Sequence, residues 1–357
     1  MLFDRKRILI TGGTGSLGRL LTRRILSGEW GTPVKVIVFS RDEAKQHDMR
    51  VSYLRRAHAT DEVIYENFAR VLEFRIGDIR SYADVCAAVR DVDIVVHAAA
   101  LKQVPTCEYF PDQAVLTNCL GAMNIVQAIR DHGYPVKAVM GVSTDKACKP
   151  VNVMGMSKAI QERVFTVANI ACPETRFACV RYGNVLASRG SVIPLFREQI
   201  RRGGPLTITS PNMTRFLLSL DQAVDTVVAA LRDAHAGETW VPHAPAATIL
   251  SIARALVGDR EIASQTIGVR PGEKIHEILI SDEEYGRTAR VGDYYAVAPM
   301  LPELAGKRPG GSDALSKEFS SADHVVSLEE TAALLARHGL LDPWAAPSDA
   351  DAKELTT

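Results

Sequence analysis

The feature that most constrains this fold is a glycine-rich turn between a short apolar run and a helical pattern near the amino terminus. The run Arg7-Ile8-Leu9-Ile10 is typical of a buried strand, and a helical pattern covers residues 19–26. Glycines at such a turn let backbone N–H groups approach a pyrophosphate, which the helix N-terminus also attracts. The turn therefore predicts a dinucleotide site. Its candidate residues are Gly12, Thr14, Gly15, Ser16, Leu17 and Gly18.

Strand-length apolar runs recur through the first half of the chain, at residues 8–10, 34–39, 71–76, 94–97, 136–142 and 175–180. Helical patterns separate most of them. This alternation predicts an α/β fold, a Rossmann-like doubly wound parallel sheet with helices on both faces.

The pattern changes after about residue 181, where prolines at 194, 205, 211, 242, 245 and 271 punctuate shorter elements. We therefore expect a cofactor-binding part over residues 1–180, a smaller ligand-binding lobe over 181–300 and a carboxyl-terminal extension over 301–357. A helix near residues 218–236 is expected to pack back on the sheet, and helical patterns also cover 249–256 and 328–338. Residues 304–316 and 345–357 are small, polar or rich in Gly and Pro, which is typical of loops and a flexible tail.

The charge balance excludes some classes of partner. The chain has 42 basic and 42 acidic residues, so no overall field attracts nucleic acid or an anionic membrane. No apolar run approaches the length of a membrane span, and a charged segment begins at residue 4, which leaves no room for a signal peptide. The six cysteines lack CxxC spacing, which argues against a zinc site or a disulfide framework. We expect a soluble cytoplasmic protein without a metal.

The tip of the second strand indicates which dinucleotide binds. A site that prefers NAD places a carboxylate there for the ribose 2′-hydroxyl, whereas a guanidinium suits the 2′-phosphate of NADP. Ser40 and Arg41 occupy the tip and Lys45 follows, so NADP is the favoured cofactor. The alternative is that Arg41 is a surface charge and Asp42 binds the NAD ribose.

The next two strand ends add further cofactor candidates. Asp78 and Ile79 follow the third strand, where the adenine is expected to lie. The fourth strand ends in His97-Ala98-Ala99-Ala100, and small residues such as Ala98 and Ala99 allow a cofactor to pass closely.

Candidate catalytic residues follow the fifth strand. Ser143-Thr144-Asp145-Lys146 lies at the carboxyl edge of the predicted sheet, where open α/β sheets bind ligands. In this architecture a Tyr-x-x-x-Lys helix pairs with a Ser or Thr on that strand, and its i,i+4 spacing puts both side chains on one helix face. Lys158 holds the lysine position and is expected to bind the nicotinamide ribose. Met154 holds the tyrosine position, although it has no proton to transfer.

A set of ordered motifs resembles one family closely. TGGTGSLG, SRDEAKQ, HAAALKQVP, STDKA, NVMGMSKA, RYGNVLASRGSVIPLF, MTRF and RPGEK occur in that order between about residues 5 and 300. They resemble the bacterial UDP-N-acetylglucosamine 4,6-dehydratases of capsule, O-antigen and flagellar-glycan synthesis, within the extended short-chain dehydrogenase/reductase family. Methionine before Gly-x-Ser-Lys is most similar to the capsule-type enzymes that also invert C5. Larger membrane-anchored relatives share that methionine, but this chain lacks their transmembrane portion.

The resemblance implies a redox-neutral dehydration. Hydride leaves sugar C4 for NADP⁺, a base removes the C5 proton while an acid protonates the departing 6-hydroxyl, and the hydride returns to C6. By motif, Thr144 would bind the 4-oxygen, Asp145 would be the acid and Lys146 the base. Neighbouring positive charges, including Lys158, are expected to lower the pKa of Lys146. The proton of the 4-hydroxyl could pass through Thr144 to water, to Asp145 or to Lys158, and Met154 could form only an apolar wall.

The resemblance also implies a UDP-sugar substrate and a homo-oligomer such as a hexamer. Cations would bind the diphosphate, since the bidentate geometry of arginine suits phosphate. The substrate residues implied by the motifs are Lys102, Asn184, Arg189, Val192, Arg215, Arg270 and Glu273. Three alternatives stay open: a C5-retaining dehydratase, a nucleotide-sugar 4-epimerase that returns hydride to C4, and a cofactor-binding regulator without catalysis.

Overall fold

The computed structural model of the protein describes residues 1–54, 62–186, 191–304 and 315–344. The strands in these ranges are β1 Arg7–Thr11, β2 Lys35–Ser40, β3 Leu72–Ile76, β4 Ile94–His97, β5 Ala138–Val142, β6 Arg176–Val180, β7 Asn184–Val185, β8 Leu206–Ile208, β9 Thr214–Leu218, β10 Thr239–Pro242, β11 Ala246–Thr248, β12 Ser264–Thr266, β13 Ile278–Ile280, β14 Thr288–Val291, β15 Tyr294–Val297 and β16 Phe319–Ser320. The α-helices are α1 Ser16–Leu26, α2 Glu43–Leu54, α3 Glu62–Val71, α4 Tyr82–Val89, α5 Val104–Tyr109, α6 Pro111–Ala114, α7 Gly121–His132, α8 Val153–Ala171, α9 Val192–Arg201, α10 Leu220–Asp233, α11 Ile249–Val257 and α12 Leu328–Arg337.

A nine-stranded sheet forms the centre of the molecule, in the order β14-β15-β10-β6-β5-β4-β1-β2-β3. Strands β1 to β6 and β10 are parallel, while β15 and β14 add antiparallel strands at one edge. The order β3-β2-β1-β4-β5-β6 is that of a doubly wound dinucleotide-binding sheet, in which ligands bind outside the carboxyl ends of the strands near the β1/β4 switch point. The predicted fold class is confirmed.

Two hydrophobic cores cover the two faces of this sheet. One contains Leu21 of α1 and Val227 of α10, and the other contains Val85 of α4, Ile125 of α7 and Phe165 of α8. Strands buried on both sides have near-continuous apolar sequences, and this is why all four residues of β4 are buried. Helix α10 packs on the sheet, in agreement with the expected helix near residues 218–236.

A third core lies in a smaller lobe beside the carboxyl edge of the sheet. It joins α9, α11 and α12 with strands β8 and β9. The carboxyl-terminal segment contributes to this lobe through α12, which packs on α11. Its strand β16 pairs with β13, and these two strands pack in the core that contains Leu21 and Val227. The expected division at residue 180 stays a prediction, and the large sheet itself takes strands from both sides of it. Residues 305–314 and 345–357 of the predicted loop and tail lie outside the described residues.

Candidate active site

The glycine turn after β1 brings backbone close to the next strand end. Gly12 has φ +66°, and a Cβ there would lie 2.7 Å from the backbone N and Cα of Ala99. Glycine is therefore required both for conformation and for contact. Helix α1 begins at Ser16, has no side-chain cap at Gly15 and carries no acidic residue in its first turn. Its first N–H groups thus remain suited to an anion, and the turn fits a dinucleotide pyrophosphate.

The tip of β2 presents a cation and not a free carboxylate. The carboxylate of Asp42 accepts a hydrogen bond from the backbone N–H of Lys45 at 3.0 Å and pairs with Lys45 Nζ at 3.1 Å. The Arg41 side chain is 57% exposed, and its guanidinium lies 3.9 Å from Asp78. Ser40 Oγ accepts a hydrogen bond from Gln46. Arg41 thus stands open to solvent beside the predicted ribose position.

Asp78 and Ile79 differ in accessibility. Asp78 is half-buried, and hydrogen bonds from the Arg80 guanidinium lower the pKa of its carboxyl. The Ile79 side chain is buried in the core, where it packs over Gly121. A ligand at the end of β3 could therefore contact Ile79 only through its backbone. At the end of β4, Ala98 is half-buried like Ala99.

His97, the last residue of β4, begins the strand end for which the sequence predicted only that Ala98 and Ala99 let a cofactor pass closely. It is fully buried, its Nδ1 hydrogen-bonds to Thr11 Oγ1 at 2.8 Å, and its Nε2 has no partner among the described residues. Burial, with a contribution from nearby Lys158, lowers the pKa of His97 to about 3. The ring is therefore neutral beneath the cofactor turn.

The segment after β5 forms a buried ion pair. Asp145 is fully buried, and its Oδ1 accepts hydrogen bonds from Thr144 Oγ1 at 2.8 Å and from Lys146 Nζ at 3.1 Å. Its Oδ2 has no partner among the described residues and lies on the side of Gly183, where a Cβ would come within 3.4 Å. The predicted residues Thr144, Asp145 and Lys146 therefore meet at one point, and one carboxylate oxygen of Asp145 is buried without a hydrogen-bond partner among the described residues.

Glu277, which the sequence did not indicate, and Arg215, which it predicted as a substrate residue, extend the pair. Glu277, buried just before β13, lies 3.3 Å from Lys146 Nζ through Oε1. The same oxygen is 3.8 Å from Nε of Arg215, on β9. Burial alone would lower the pKa of Lys146, but the carboxylates of Asp145 and Glu277 outweigh it and raise that pKa. The expectation that neighbouring cations lower the pKa of Lys146 is therefore wrong for the free protein.

Helix α8 brings Lys158 to the same edge. Asn152 caps the helix by accepting from the backbone N–H of Gly155 at 2.8 Å. Lys158 is buried and donates to Gln161 Oε1 at 2.6 Å. Burial lowers the pKa of Lys158 to about 8, against the opposing effect of weaker neighbours such as Glu162. Lys158, and not Lys146, is thus the lysine whose pKa is lowered.

Met154 lies in an apolar cluster one helical turn before Lys158. Its side chain is 4% exposed and packs with Cys107 and Ala114. The methionine thioether itself has no proton to transfer. The structure is consistent with Met154 as an apolar wall.

A buried charge network lies beside the segment that follows β5. Arg181, directly after β6, makes ion pairs of 2.7 Å with Glu162 of α8 and with Glu284. Glu162 also accepts from Ser143 Oγ at 2.5 Å, so the network fixes the residue before Thr144. The carboxyl-edge rule that identified Thr144 could also have found Arg181, since it follows the next strand.

The predicted substrate residues are distributed over the lobe. Asn184 lies on β7, beside β9. Its Oδ1 and the Oε2 of Glu273 are each buried and have no hydrogen-bond partner within the described ranges. Val192 begins α9, Arg270 is exposed, and so is Lys102 before α5. Arg189 lies outside the described residues.

The loop that carries Arg270 and Glu273 is held against the segment before α8. Asn152 Nδ2 donates to the carbonyl of Gly272 at 2.8 Å, and Lys274 Nζ donates to the carbonyl of Cys148 at 2.6 Å. The lobe therefore closes over the segment of Thr144, Asp145 and Lys146. Within the described ranges, no helix combines the length and apolar character needed to cross a membrane.

Comparisons with known proteins agree with this geometry. The family model described as "Polysaccharide biosynthesis protein" matches residues 8–299. UDP-glucose 4-epimerases from Rickettsia massiliae (strain Mtu5) and Rickettsia typhi (strain ATCC VR-144 / Wilmington) are 45% and 44% identical over 304 residues, covering 84% of each chain. The X-ray structure of Pen from Bacillus thuringiensis is 32% identical, covers 96% of this chain and 100% of its own, and has a TM-score of 0.84.

More distant structures share the fold alone. DesIV, a dTDP-glucose 4,6-dehydratase from Streptomyces venezuelae with NAD and TYD bound, is 22% identical with a TM-score of 0.62, covering 75% of this chain and 86% of its own. The family match covers most of the sheet and the lobe. The aligned region is 84% of this chain and 84% of each of the two relatives from Rickettsia. The chain therefore belongs to the polysaccharide biosynthesis protein family.

Proposed function

We propose that the protein is an NADP-dependent UDP-N-acetylglucosamine 4,6-dehydratase that inverts C5, and that it forms a UDP-2-acetamido-2,6-dideoxy-4-keto-hexose for bacterial surface glycans. The observation that carries this proposal is the buried pair of Asp145 and Lys146 at the carboxyl edge of the sheet. Oxidation at C4 alone needs one proton acceptor. Elimination of water across C5 and C6 needs an acid and a base together, and this pair supplies both kinds of group.

The fit of a dinucleotide rests on the glycine turn, the uncapped start of α1 and the close approach of Gly12 to Ala99. A bound nicotinamide would supply the acceptor and donor for the hydride that leaves C4 and returns to C6. Gly12, Thr14, Gly15, Ser16, Leu17 and Gly18 would hold the pyrophosphate, and Lys158 would hold the ribose beside it.

NADP is preferred to NAD because of the β2 tip. Asp42 is engaged in the first turn of α2, so the carboxylate that could bind a ribose 2′-hydroxyl already has a backbone partner. Arg41 is exposed next to it, with Lys45 one turn later, and both suit a 2′-phosphate. Asp78, Ile79, Ala98 and Ser40 would line the adenosine side.

The chain's own residues divide the proton chemistry. Thr144 would orient the 4-oxygen, Lys146 would take the C5 proton, and Asp145 would give a proton to the 6-hydroxyl as water leaves. Burial of Asp145 excludes water from that acid. The 4-hydroxyl proton would go to Lys158, directly or through Thr144, because its lowered pKa brings a neutral amine within reach near pH 8. Met154 would keep this region apolar.

The UDP diphosphate would bind at the lobe. Arg215 is the best supported residue, since its guanidinium already lies within the reaction centre. Asn184 and Glu273 each have a buried oxygen that no other described residue contacts by a hydrogen bond, and a ligand hydroxyl or amide could satisfy it. Val192, Arg270, Lys102 and Arg189 complete the proposed set.

A nucleotide-sugar 4-epimerase is the second candidate, because relatives that are 45% identical carry the name UDP-glucose 4-epimerase. An epimerase returns hydride to C4 and leaves C5 and C6 untouched. It therefore has no use for an acid at the 6-hydroxyl, and the pair of Asp145 and Lys146 would then serve only to bind the sugar.

One experiment separates the two candidates. The enzyme is incubated with UDP-N-acetylglucosamine in D₂O, and the products are followed by NMR, with UDP-glucose as a second substrate. We expect a 4-keto-6-deoxy sugar with deuterium at C5, and the configuration at C5 reports inversion. Lys146→Ala should keep cofactor binding and lose C5 exchange. A C4 epimer without deuterium at C5, from either substrate, would replace the dehydratase proposal with the epimerase.

We also propose a cytoplasmic homo-oligomer, with a hexamer as the expected size. Met156, Ile160, Val167 and Ile170 lie along one exposed stripe of α8, each about half exposed, and exposed apolar patches of this kind mark protein interfaces. All six cysteines are free, as is usual in a reducing compartment. Light scattering after size-exclusion chromatography gives the oligomer mass, and a monomer would contradict the proposal.

A further inference from the structure

Glu277 is a buried carboxylate to which the proposed function gives no role. Its Oε1 lies 3.3 Å from Nζ of Lys146 and 3.8 Å from Nε of Arg215. The side chain is 2% exposed, and Oε2 has no hydrogen-bond partner among the described residues. A buried charge retained for stability alone is costly unless it is paired and both oxygens are satisfied. A role for Glu277 must therefore explain the two cations that share Oε1.

The proposed dehydration makes two electrostatic demands that Asp145 cannot meet at once. Asp145 is neutral while it carries the proton for the 6-hydroxyl. Lys146 becomes an ammonium when it takes the C5 proton, before the proton of Asp145 has left with the 6-hydroxyl. An ammonium formed in a buried site needs a counter-ion that stays charged. The second carboxylate at Lys146 Nζ is Glu277.

We propose that Glu277 is this counter-ion, a positioning residue that holds Lys146 and remains charged while Asp145 carries the proton. The inference rests on the proposed dehydration. It assigns one carboxylate to proton transfer and the other to charge balance, although both lie within 3.3 Å of the same nitrogen.

The proton can be followed through the pair without an external acid. In the resting ion pair the proton is on Lys146. Its transfer across 3.1 Å to Oδ1 of Asp145 gives a neutral amine and a carboxylic acid, the base and the acid that elimination needs. The amine then takes the C5 proton, the C6–O bond breaks, and the proton of Asp145 leaves in water. While the amine is neutral, Glu277 keeps Arg215 as its cation.

The carboxyl-terminal segment fixes Glu277 in place. Ser321, directly after β16, accepts from the backbone N–H of Glu277 at 2.9 Å through Oγ and donates its own N–H to the Glu277 carbonyl at 2.8 Å. Ser321 Oγ also lies 2.6 Å from Oγ1 of Thr214, the neighbour of Arg215. One serine thus joins the two segments that carry Glu277 and Arg215.

The charged groups that face Lys146 determine how its pKa should change when Glu277 is replaced. Burial lowers the pKa of Lys146, Asp145 and Glu277 raise it, and Arg215 lowers it. Lys274 is a further cation near the same carboxylates. Removal of the Glu277 charge should therefore lower the pKa of Lys146.

A titration tests this pairing without catalysis. The full-length protein is labelled with ¹³C at lysine Cε, the Lys146 signal is identified by its loss in Lys146→Gln, and the signal is titrated by NMR. We expect the Lys146 midpoint to fall in Glu277→Gln and to fall less in Glu277→Asp. Glu318→Gln is the matched control, because it removes an exposed carboxylate from Lys149. An unchanged midpoint in both Glu277 variants would overturn the proposal, and Glu277→Asp alone decides it if Glu277→Gln does not fold.

A pH profile of C5 deuterium exchange tests the role in the reaction. In Glu277→Gln we expect the limiting rate to fall roughly 10- to 100-fold and the acidic limb to move to lower pH. A lower rate with the limb unmoved would indicate a structural role and overturn the inference. Absence of exchange in the wild type would overturn the proposed function and this role with it. Exchange in the wild type together with a wild-type profile in Glu277→Gln would overturn the role of Glu277 alone.

Discussion

Lys146 and Lys158 lie at the same edge of the sheet in opposite electrostatic surroundings. Two carboxylates face Lys146 and raise its pKa in spite of burial. Lys158 has the neutral side chain of Gln161 as its hydrogen-bond partner, and burial lowers its pKa to about 8. Near neutral pH the resting protein therefore keeps a firmly held proton on Lys146 and a more loosely held one on Lys158. The direction of neither pKa shift can be predicted from residue types alone, because each depends on how the folded chain surrounds the lysine.

The lowered pKa of Lys158 predicts a pH-dependent cost to stability. Below about pH 8 the lysine is charged in both the folded and the unfolded chain, so the folded protein bears the full cost of burying it. As pH rises from about 8 toward 10.5, the folded chain releases the proton first and the cost declines. We expect cofactor-free Lys158→Met to be more stable than the wild type by about 3 kcal/mol at pH 7, and by about half of that at pH 9.5.

Urea unfolding at both pH values measures this difference. Lys137→Met, which removes an exposed lysine, serves as the control for the substitution and should change stability only slightly. A Lys158→Met difference that stays constant between pH 7 and pH 9.5 would show that Lys158 does not titrate in this range.

Arg41 should determine the choice between the two dinucleotides. A charged hydrogen bond to a 2′-phosphate contributes about 1.5–3 kcal/mol, so Arg41→Ala should weaken NADP binding roughly 10- to 100-fold and leave NAD binding nearly unchanged. Isothermal titration with each dinucleotide measures both affinities. Arg23→Ala, an exposed change on the outer side of α1, is the control. An equal loss of affinity for NAD and NADP would show that Arg41 does not bind the 2′-phosphate.

At the scale of elements, the start of α8 is held against the short turn that carries Asp145 and Lys146. A Cβ on Gly155 would overlap the carbonyl oxygen of Lys146, so the helix can approach only with glycine at this position. Asn152 caps the helix and also binds Gly272 of the lobe. The sequence motif NVMGMSKA thus combines a cap, a close contact and the lysine in fewer than three turns.

Gly155→Ala should separate the helix from that turn. Overpacking of this kind costs about 1–3 kcal/mol, and the displaced turn should lower C5 exchange more than it lowers cofactor binding. Thermal unfolding and the exchange rate are the measurements. Gly286→Ala is the matched control, because a Cβ there meets nothing within 4 Å, and it should change stability by less than about 0.5 kcal/mol. Wild-type stability and exchange in Gly155→Ala would contradict the close contact.

At the scale of the whole molecule, the sequence predicts the central sheet well because its strands are local apolar runs. All six predicted strands are present, and the carboxyl-edge rule brought Thr144, Asp145 and Lys146 to one site. The partners of those residues are harder to predict. Glu277 meets Lys146, and Arg181 meets Glu284, only after the lobe has folded back on the sheet. Single-sequence patterns carry no information on such long-range pairs, so Glu277 was not predicted although Glu273, four residues earlier, was.

Helix α12 offers a way to perturb the lobe without touching the cofactor turn. Leu335 is fully buried in the lobe core, where α12 packs on α11 next to the strand that carries Arg215. Leu335→Ala should cost about 2–5 kcal/mol of unfolding free energy. It should also weaken binding of UDP, which the lobe is proposed to hold, while the affinity for NADP stays within about twofold of the wild type.

Leu328→Ala, at the more exposed start of the same helix, is the control for this change and should affect stability by about 0.5 kcal/mol or less. Calorimetric titration with UDP and with NADP, below the unfolding transition of each variant, separates the two sites. Because α12 contacts the lobe and the glycine turn lies at β1, a loss confined to UDP would show that the carboxyl-terminal segment supports the substrate side. Equal losses for both ligands would mean that α12 stabilises the molecule as a whole, and Ser321 would then be the better residue through which to test the link between that segment and the reaction centre.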